Sequence, residues 1–255
     1  MPFEDRLDLI KKAGFSATGF WLGPEEELVG KGKADLLPEL VRSRDLFLDY
    51  VHAPDIGCND LWSESATKRG EWMRTYRSYV DLCQRHSISL MVMHISQSKG
   101  EQPESLTSEG LRAIMDLVKA AEDSDVKIAI ENTMQPALLD LIFSNIQSDH
   151  LGFCYDTSHD FLYSPNPGAL LERWGHRLIV THLADNDGVL DRHWLPGLGV
   201  LNWEEIMIWL PGKTYQGSLM LEVFSKDQEN EPAETFMTSA FQSIQWLHNL
   251  LQGEA

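Results

Sequence analysis

Residues 152–160 read GFCYDTSHD, and residues 178–187 read LIVTHLADND. In both stretches a short apolar run, typical of a buried strand, ends in acids and histidines. The same arrangement recurs in LDYVHAP (48–54), LMVMHIS (90–96), KIAIENT (127–133) and LMLEVF (219–224). Because the carboxyl ends of parallel strands lie at one edge of a sheet, we expect these polar residues to converge on one site. The candidates are His52, His94, Glu131, Asp156, His159, His182, Asp191, His193 and Glu222.

Apolar runs of strand length alternate with stretches that have helical periodicity. The strand-like runs span 15–22, 46–53, 89–96, 127–131, 151–157, 178–184 and 217–223. The helix-like stretches span 3–14, 66–86, 108–124 and 202–210, and Asn202 with Glu205 reads as a capping box that opens the last of them. Repeated strand–helix units predict an α/β fold with a parallel sheet. We find no linker, so we expect one domain over 1–255.

Two observations favour a closed barrel over a doubly wound sheet. No glycine-rich phosphate fingerprint follows the first strand, so the usual signal of a dinucleotide-binding sheet is missing. Polar candidates also end six of the seven predicted strands, which suits a barrel whose active site draws on many strand ends.

Composition excludes several classes of function. The net charge is −18, with 21 Lys and Arg against 39 Asp and Glu, so no basic surface for nucleic acid is expected. The sequence contains no apolar run long enough for a membrane span and no secretory signal, which predicts a cytoplasmic protein. The three cysteines, Cys58, Cys83 and Cys154, lack metal-ligand spacing, and we expect them to be reduced core residues.

The chain carries an ordered set of short motifs that together resemble the xylose isomerase-like TIM barrels. In order, the motifs are HAP (52–54), MHIS (93–96), ENT (131–133), DTSH (156–159), HLADND (182–187), DRHWLPGLG (191–199) and LEV (221–223). That superfamily includes sugar and sugar-phosphate isomerases and epimerases, inosose-processing enzymes and the type IV apurinic endonucleases. The resemblance therefore implies a (β/α) barrel and a metal-dependent enzyme.

One feature departs from the family pattern. Members begin with a strand ahead of the first helix, whereas helix-like 3–14 comes first here. With seven strands identified, we expect a barrel that lacks or displaces its first strand. Open strand edges favour association, so a homo-oligomer is one expected consequence.

Residue types at four successive strand ends point to a metal centre. Glu131, Asp156, His182 and Glu222 supply three carboxylates and one imidazole, a ligand set suited to one ion of manganese, magnesium, cobalt or zinc. In the family's epimerases the residues matching these four hold one divalent metal. The equivalents of Glu131 and Glu222 also exchange protons with the substrate carbon. The resemblance thus implies proton transfer through a metal-stabilised enediolate of a small sugar, polyol or related carbonyl compound.

The other polar candidates leave two alternatives open. In the type IV apurinic endonucleases, residues matching His52 and His94 and residues matching His159, Asp191 and His193 bind further zinc ions. This implies a trinuclear zinc phosphodiesterase as the alternative, with up to three Zn. The acidic charge favours the isomerase, in which the outer residues orient a carbohydrate together with Trp21, Arg192 and Trp194. Trp62 is a further indole near the predicted mouth. A barrel that binds sugar without catalysis is the third hypothesis.

Overall fold

A computed structural model describes residues 1–97, 103, 106–210, 215–225 and 231–253. Within these residues, six strands form one sheet. They are β1 (Ala17–Trp21), β2 (Phe47–His52), β3 (Leu90–Met93), β4 (Lys127–Glu131), β5 (Leu151–Asp156) and β6 (Leu178–His182). Their order in the sheet is the order in the chain, β1-β2-β3-β4-β5-β6. Sequential order with helical connections is the pattern of repeated strand–helix units, as predicted.

Helices connect and flank these strands. They are α1 (Phe3–Ala13), α2 (Glu27–Gly30), α3 (Leu37–Arg42), α4 (Ala66–Arg85), α5 (Ser108–Asp123), α6 (Ala137–Asn145), α7 (Thr157–Tyr163), α8 (Ala169–Trp174), α9 (Trp203–Trp209) and α10 (Ala233–Gln252). The predicted helices at 3–14, 66–86, 108–124 and 202–210 are confirmed as α1, α4, α5 and α9. As predicted, Asn202 caps α9, with its side-chain oxygen accepting from the backbone N–H of Glu205.

Contacts between residues divide the chain into two compact units, each defined by the contacts within it. The first unit comprises 1–18, 40–47 and 153–255, and the second unit comprises 19–39 and 48–152. That one domain spans 1–255 stays a prediction.

In the second unit, β2, β3 and β4 pair in parallel. His52 lies opposite Val92, which in turn lies opposite Ala129. Helix α4 packs against α5, and α5 packs on β4. Gly110 of α5 lies so close to Trp62 that a Cβ atom there would come within 2.6 Å of the indole ring. The close approach explains why glycine occupies this helical position.

In the first unit, β5 and β6 pair in parallel so that Asp156 lies opposite His182. The side chain of Thr157 joins the ends of the two strands, because its Oγ1 donates to the carbonyl of Ala184 and accepts from the N–H of the same residue. Helix α1 packs against α10, and α10 packs against α9.

The predicted strand at 217–223 is replaced by a single bridge among the described residues. Leu221 pairs with Leu183 in parallel, but no ladder extends from the pair. Side chains take the place of the ladder: Oγ1 of Thr181 accepts from the N–H of Met220 and donates to the carbonyl of Ser218, which also accepts from Tyr215. These hydroxyl groups form hydrogen bonds with backbone N–H and C=O groups that a longer strand pairing would otherwise have satisfied.

Two further predictions concern the state of the cysteines and the absence of a membrane span. All three cysteines are free and buried, which agrees with reduced core residues. Within the described part of the chain, none of the helices has the length and apolarity that crossing a membrane requires.

The buried thiols are expected to resist modification. Burial raises the pKa of both Cys58 and Cys83 to about 12, so neither forms the reactive thiolate at pH 8. Ellman's reagent should therefore react slowly with the native protein and titrate 3 thiols promptly after unfolding in guanidinium chloride. Prompt reaction of any thiol in the native protein would contradict the burial described here.

Candidate active site

The second unit holds a cluster of two histidines and one glutamate at the ends of β2, β3 and β4. Nε2 of His52 lies 3.0 Å from Oε2 of Glu131, and Nε2 of His94 lies 3.1 Å from the same oxygen. All three side chains are buried. Nδ1 of His52 lies 2.8 Å from the carbonyl oxygen of Ala53 and donates to it, which leaves Nε2 to act as the ligand or acceptor. The three residues offer ligand atoms within 4.8 Å of one another and could hold a metal ion.

Two of the indoles considered in the sequence lie in the second unit. The ring of Trp21 lies 5.0 Å from that of His52, so Trp21 borders the histidine cluster. Its N–H donates to the carboxylate of Glu25. Trp62 is buried, and its N–H donates to the carbonyl of Ile95. Trp62 packs against Gly110 of α5, whereas Trp21 remains a predicted substrate contact.

The first unit brings together Asp156, His182 and Glu222, which follow or end β5, β6 and the Leu221 bridge. Their ligand atoms lie within 4.8 Å of one another. Nδ1 of His182 lies 3.0 Å from Oε2 of Glu222, and the imidazole is fully buried. Asp156 caps α7, because its Oδ1 accepts from the backbone N–H of His159. Two carboxylates and an imidazole at this separation fit a divalent cation.

A second cluster of the first unit contains His159, Asp191 and His193. Oδ2 of Asp191 lies 3.3 Å from Nε2 of His159 and 3.0 Å from Nε2 of His193. Burial disfavours the charged carboxylate, yet hydrogen bonds from both histidines hold the pKa of Asp191 well below its ordinary value. Burial also disfavours the charged imidazole, but the hydrogen bond to Asp191 and the charge of Glu222 raise the pKa of His193 to about 9. This cluster thus stabilises an ion pair, and a bound cation would compete with its proton.

The backbone around His193 aims its ring at Asp191. His193 has a φ of 51°, in the left-handed region that non-glycine residues rarely adopt. Nδ1 of His193 donates to the carbonyl of Glu222, and the carbonyl of His193 accepts from the N–H of Phe224. Glu222, a predicted metal ligand, is therefore connected to the second cluster through its backbone carbonyl.

The predicted substrate contacts Arg192 and Trp194 interact with each other. The guanidinium of Arg192 lies 5.8 Å from the centre of the Trp194 ring, and its Nε donates to Oδ2 of Asp187 at 2.6 Å. The pair is thus oriented by contacts within the loop. Its role in binding substrate stays a prediction.

Sequence reasoning missed the polar residues that hold these clusters. Oγ of Ser158 donates to Oδ1 of Asp191, and the side chain of Asn186 donates to Oγ of Ser158. Both residues stand inside the motifs DTSH and HLADND, beside residues that were singled out. The signal was the presence of further polar residues in buried motifs, which require hydrogen-bond partners.

A family profile described as "Xylose isomerase-like TIM barrel" matches residues 7–249 of the chain. The chain belongs to the xylose isomerase-like TIM barrel family. Membership confirms the fold class predicted from the strand-end motifs.

Individual relatives in this xylose isomerase-like family are distant. The uncharacterised protein y4fM of Sinorhizobium fredii is 28% identical over 250 residues, which cover 85% of this chain and 79% of that protein. D-psicose 3-epimerase of Enterocloster bolteae is 29% identical over 127 residues, which cover 46% of this chain and 40% of the epimerase.

Solved structures with the same fold include sugar epimerases. D-psicose 3-epimerase of Clostridium cellulolyticum H10, solved with D-tagatose, superposes with a TM-score of 0.79 at 15% identity, covering 98% of this chain and 94% of that one. A D-tagatose 3-epimerase-like protein superposes with a TM-score of 0.75 at 22% identity, covering 97% and 92%. At these identities the likeness concerns the fold.

Proposed function

We propose that this protein is a divalent-metal-dependent isomerase or epimerase of a small sugar, polyol or related polyhydroxylated carbonyl compound. The observation that carries the proposal is the convergence of Asp156, His182 and Glu222 at strand ends of the first unit. The partial sequence match to a D-psicose 3-epimerase supports the choice of a carbohydrate substrate.

The residues fit the implied metal ion. The imidazole of His182 and the carboxylates of Asp156 and Glu222 are borderline and hard donors at close range. Glu131, at the carboxyl end of β4, is assigned to the same ion on the family resemblance and on its strand-end position. A divalent cation held by these residues would supply Lewis acidity, which would stabilise the negative charge that develops on the substrate when a proton leaves the carbon next to its carbonyl group.

Glu131 and Glu222 are proposed to move that proton. A carboxylate is a suitable general base when its orientation is held and water is kept away. Glu131 is buried, and His52 and His94 both approach its Oε2. Glu222 is more accessible, with 29% of its side chain exposed, and His182 holds its Oε2. One glutamate would remove the proton from one face of the carbon, and the other would return it.

The second cluster is proposed to orient the substrate. His159, Asp191 and His193 offer donors and acceptors for sugar hydroxyls, and Trp21, Arg192 and Trp194 would contact the ring. These roles need no second ion, and the proposed enzyme therefore requires one divalent metal per chain.

The alternative is a trinuclear zinc phosphodiesterase, and one observation favours it. The groups His52–His94–Glu131 and His159–Asp191–His193 each have ligand atoms within 4.8 Å of one another. The net charge of −18 opposes this function, because repulsion from the phosphate backbone must be overcome.

Metal content and deuterium exchange together test the proposal. We expect elemental analysis to find about one divalent ion per chain, as inferred from the four-residue ligand set. Incubation with a panel of ketoses and aldoses in deuterated water should place deuterium on the carbon that loses its proton, and pretreatment with EDTA should abolish the exchange. About three zinc ions per chain with cleavage of an abasic duplex would instead establish the phosphodiesterase. A bound metal with no exchange into any sugar would contradict proton transfer.

A further inference from the structure

Asp185 is a fully buried carboxylate with four N–H donors around it. Its Oδ1 accepts from the backbone N–H of Asn186 at 2.9 Å and of Leu201 at 3.1 Å. Its Oδ2 accepts from the backbone N–H of Gly197 and from the indole N–H of Trp203, both at 2.9 Å. The donors come from both ends of the segment 186–203, so a single side chain closes this segment on itself.

The backbone of Asp185 divides that segment into two turns. Asp185 and Trp194 form an antiparallel bridge with two hydrogen bonds of 2.9 Å, one in each direction. The first turn, 186–193, contains Asp191 and His193. The second turn, 195–201, passes so close to Asp185 that a Cβ atom on Gly199 would lie 2.2 Å from Oδ1 of Asp185 and 2.1 Å from the carbonyl oxygen of Asn186. Only glycine allows this approach.

A chain of side-chain hydrogen bonds connects the start of the first turn to Asp191 and places Asp191 beside His159 and His193. Asn186, whose N–H is held by Asp185, donates to Oγ of Ser158, and Ser158 donates to Oδ1 of Asp191. Oδ2 of Asp191 is thereby left directed at His159 and His193. The position of Asp191 therefore depends on how Asp185 holds the turn, although the two carboxylates have no hydrogen bond in common.

We infer that Asp185 is a positioning residue, which holds the loop 186–201 in the conformation that sets Asp191 against His159 and His193 before any substrate arrives. The inference rests on the proposed function only for its catalytic consequence, because the hydrogen bonds exist without a substrate. A long loop ordered in advance avoids an entropic cost when ligand binds. The four donors to the carboxylate of Asp185 belong to neither cluster, and Asp185 is not proposed to take part in proton transfer.

The first test replaces Asp185 with asparagine and observes the histidine rings. The amide has one acceptor oxygen, and its NH2 group faces two of the four donors, so the loop loses two of the hydrogen bonds that close it. Long-range ¹H–¹⁵N spectra of the imidazoles, recorded without substrate, are expected to show D185N shifting the signals of His159 and His193 towards those of exposed histidines. The signals of His52 and His94, which belong to the second unit, should stay in place and serve as the internal control.

A conservative variant keeps the inference testable if D185N does not fold. Trp203→Phe removes one donor to Oδ2, and Trp72→Phe is the matched control, since Trp72 is an equally buried indole of the second unit. W203F should shift the signals of His159 and His193 in the same direction as D185N but less, and W72F should leave both in place. In the double variant D185N/W203F the added effect of D185N should be smaller, because the new amide NH2 then faces one donor fewer.

Turnover separates this inference from the proposed function. If the protein epimerises a sugar, D185N should lower kcat/KM by about tenfold to a hundredfold, the range typical of residues that orient a site from outside, while metal bound at His182 is retained. If no sugar is turned over, the proposed function fails, but the imidazole signals still decide the role of Asp185. Unchanged signals of His159 and His193 in a folded D185N, or in W203F if D185N is unfolded, would overturn the inference.

Discussion

Glu131→Gln and Glu222→Gln are each expected to lower kcat by about a hundredfold to ten-thousandfold, the contribution of a positioned general acid or base. Glutamine keeps the size of the side chain and an acceptor oxygen, and its NH2 group can donate to Nε2 of His52, but the amide cannot accept a proton from carbon. The measurement is the rate of deuterium incorporation and of sugar conversion with saturating metal.

Two controls make the loss of turnover interpretable. Circular dichroism and thermal unfolding should show that both variants remain folded. Glu71→Gln changes an exposed glutamate of α4 in the same way and should leave the rates unaltered. If either Glu131→Gln or Glu222→Gln retained the wild-type rate, the assignment of the acid–base pair would be wrong.

His182→Ala should weaken metal binding by about a hundredfold or more. Loss of a residue that only orients a metal ligand costs about tenfold to a hundredfold in affinity, and loss of a ligand itself should cost more. The imidazole is fully buried at the end of β6, and its removal also takes the partner of Oε2 of Glu222 away. Truncating a fully buried side chain to alanine leaves a cavity and costs about 2–5 kcal/mol, so the free energy of unfolding should fall by a similar amount. Isothermal titration with Mn²⁺ and urea unfolding measure the two effects.

The matched control is His176→Ala, which removes an exposed histidine next to β6. It should change neither the Mn²⁺ affinity nor the free energy of unfolding by a measurable amount. Wild-type Mn²⁺ affinity in His182→Ala would remove His182 from the ligand set.

Much of the fold was predictable because its signals are local. The apolar run 178–180, followed by Thr181 and His182, predicts a buried parallel strand, and the structure has β6 there. Helical periodicity and end signals located α4, α5 and α9 within one or two residues. The proximity of His182 to Glu222 was also expected, because parallel strands bring their carboxyl ends to one edge, although Glu222 follows a single bridge and ends no strand.

The segment 217–223 shows where local signals stop. Its apolar residues predict a strand as well as those of 178–184 do, but strand pairing also depends on the side chains of the neighbouring segment. The hydroxyl of Thr181 accepts from the N–H of Met220 and donates to the carbonyl of Ser218, and the pairing is limited to a single bridge at Leu221. Nothing within 217–223 itself indicates this outcome.

The sequence by itself determined the fold class, the family and the residue types that could hold a metal, since these depend on periodicity, order and donor chemistry. Only the tertiary structure decided which polar side chains form hydrogen bonds with each other. It set His193 at a positive φ, directed Asp191 to two histidines and placed Asp185 among four N–H groups. The reason is that hydrogen bonds between residues far apart in the chain depend on distances and directions that exist only after the backbone has folded.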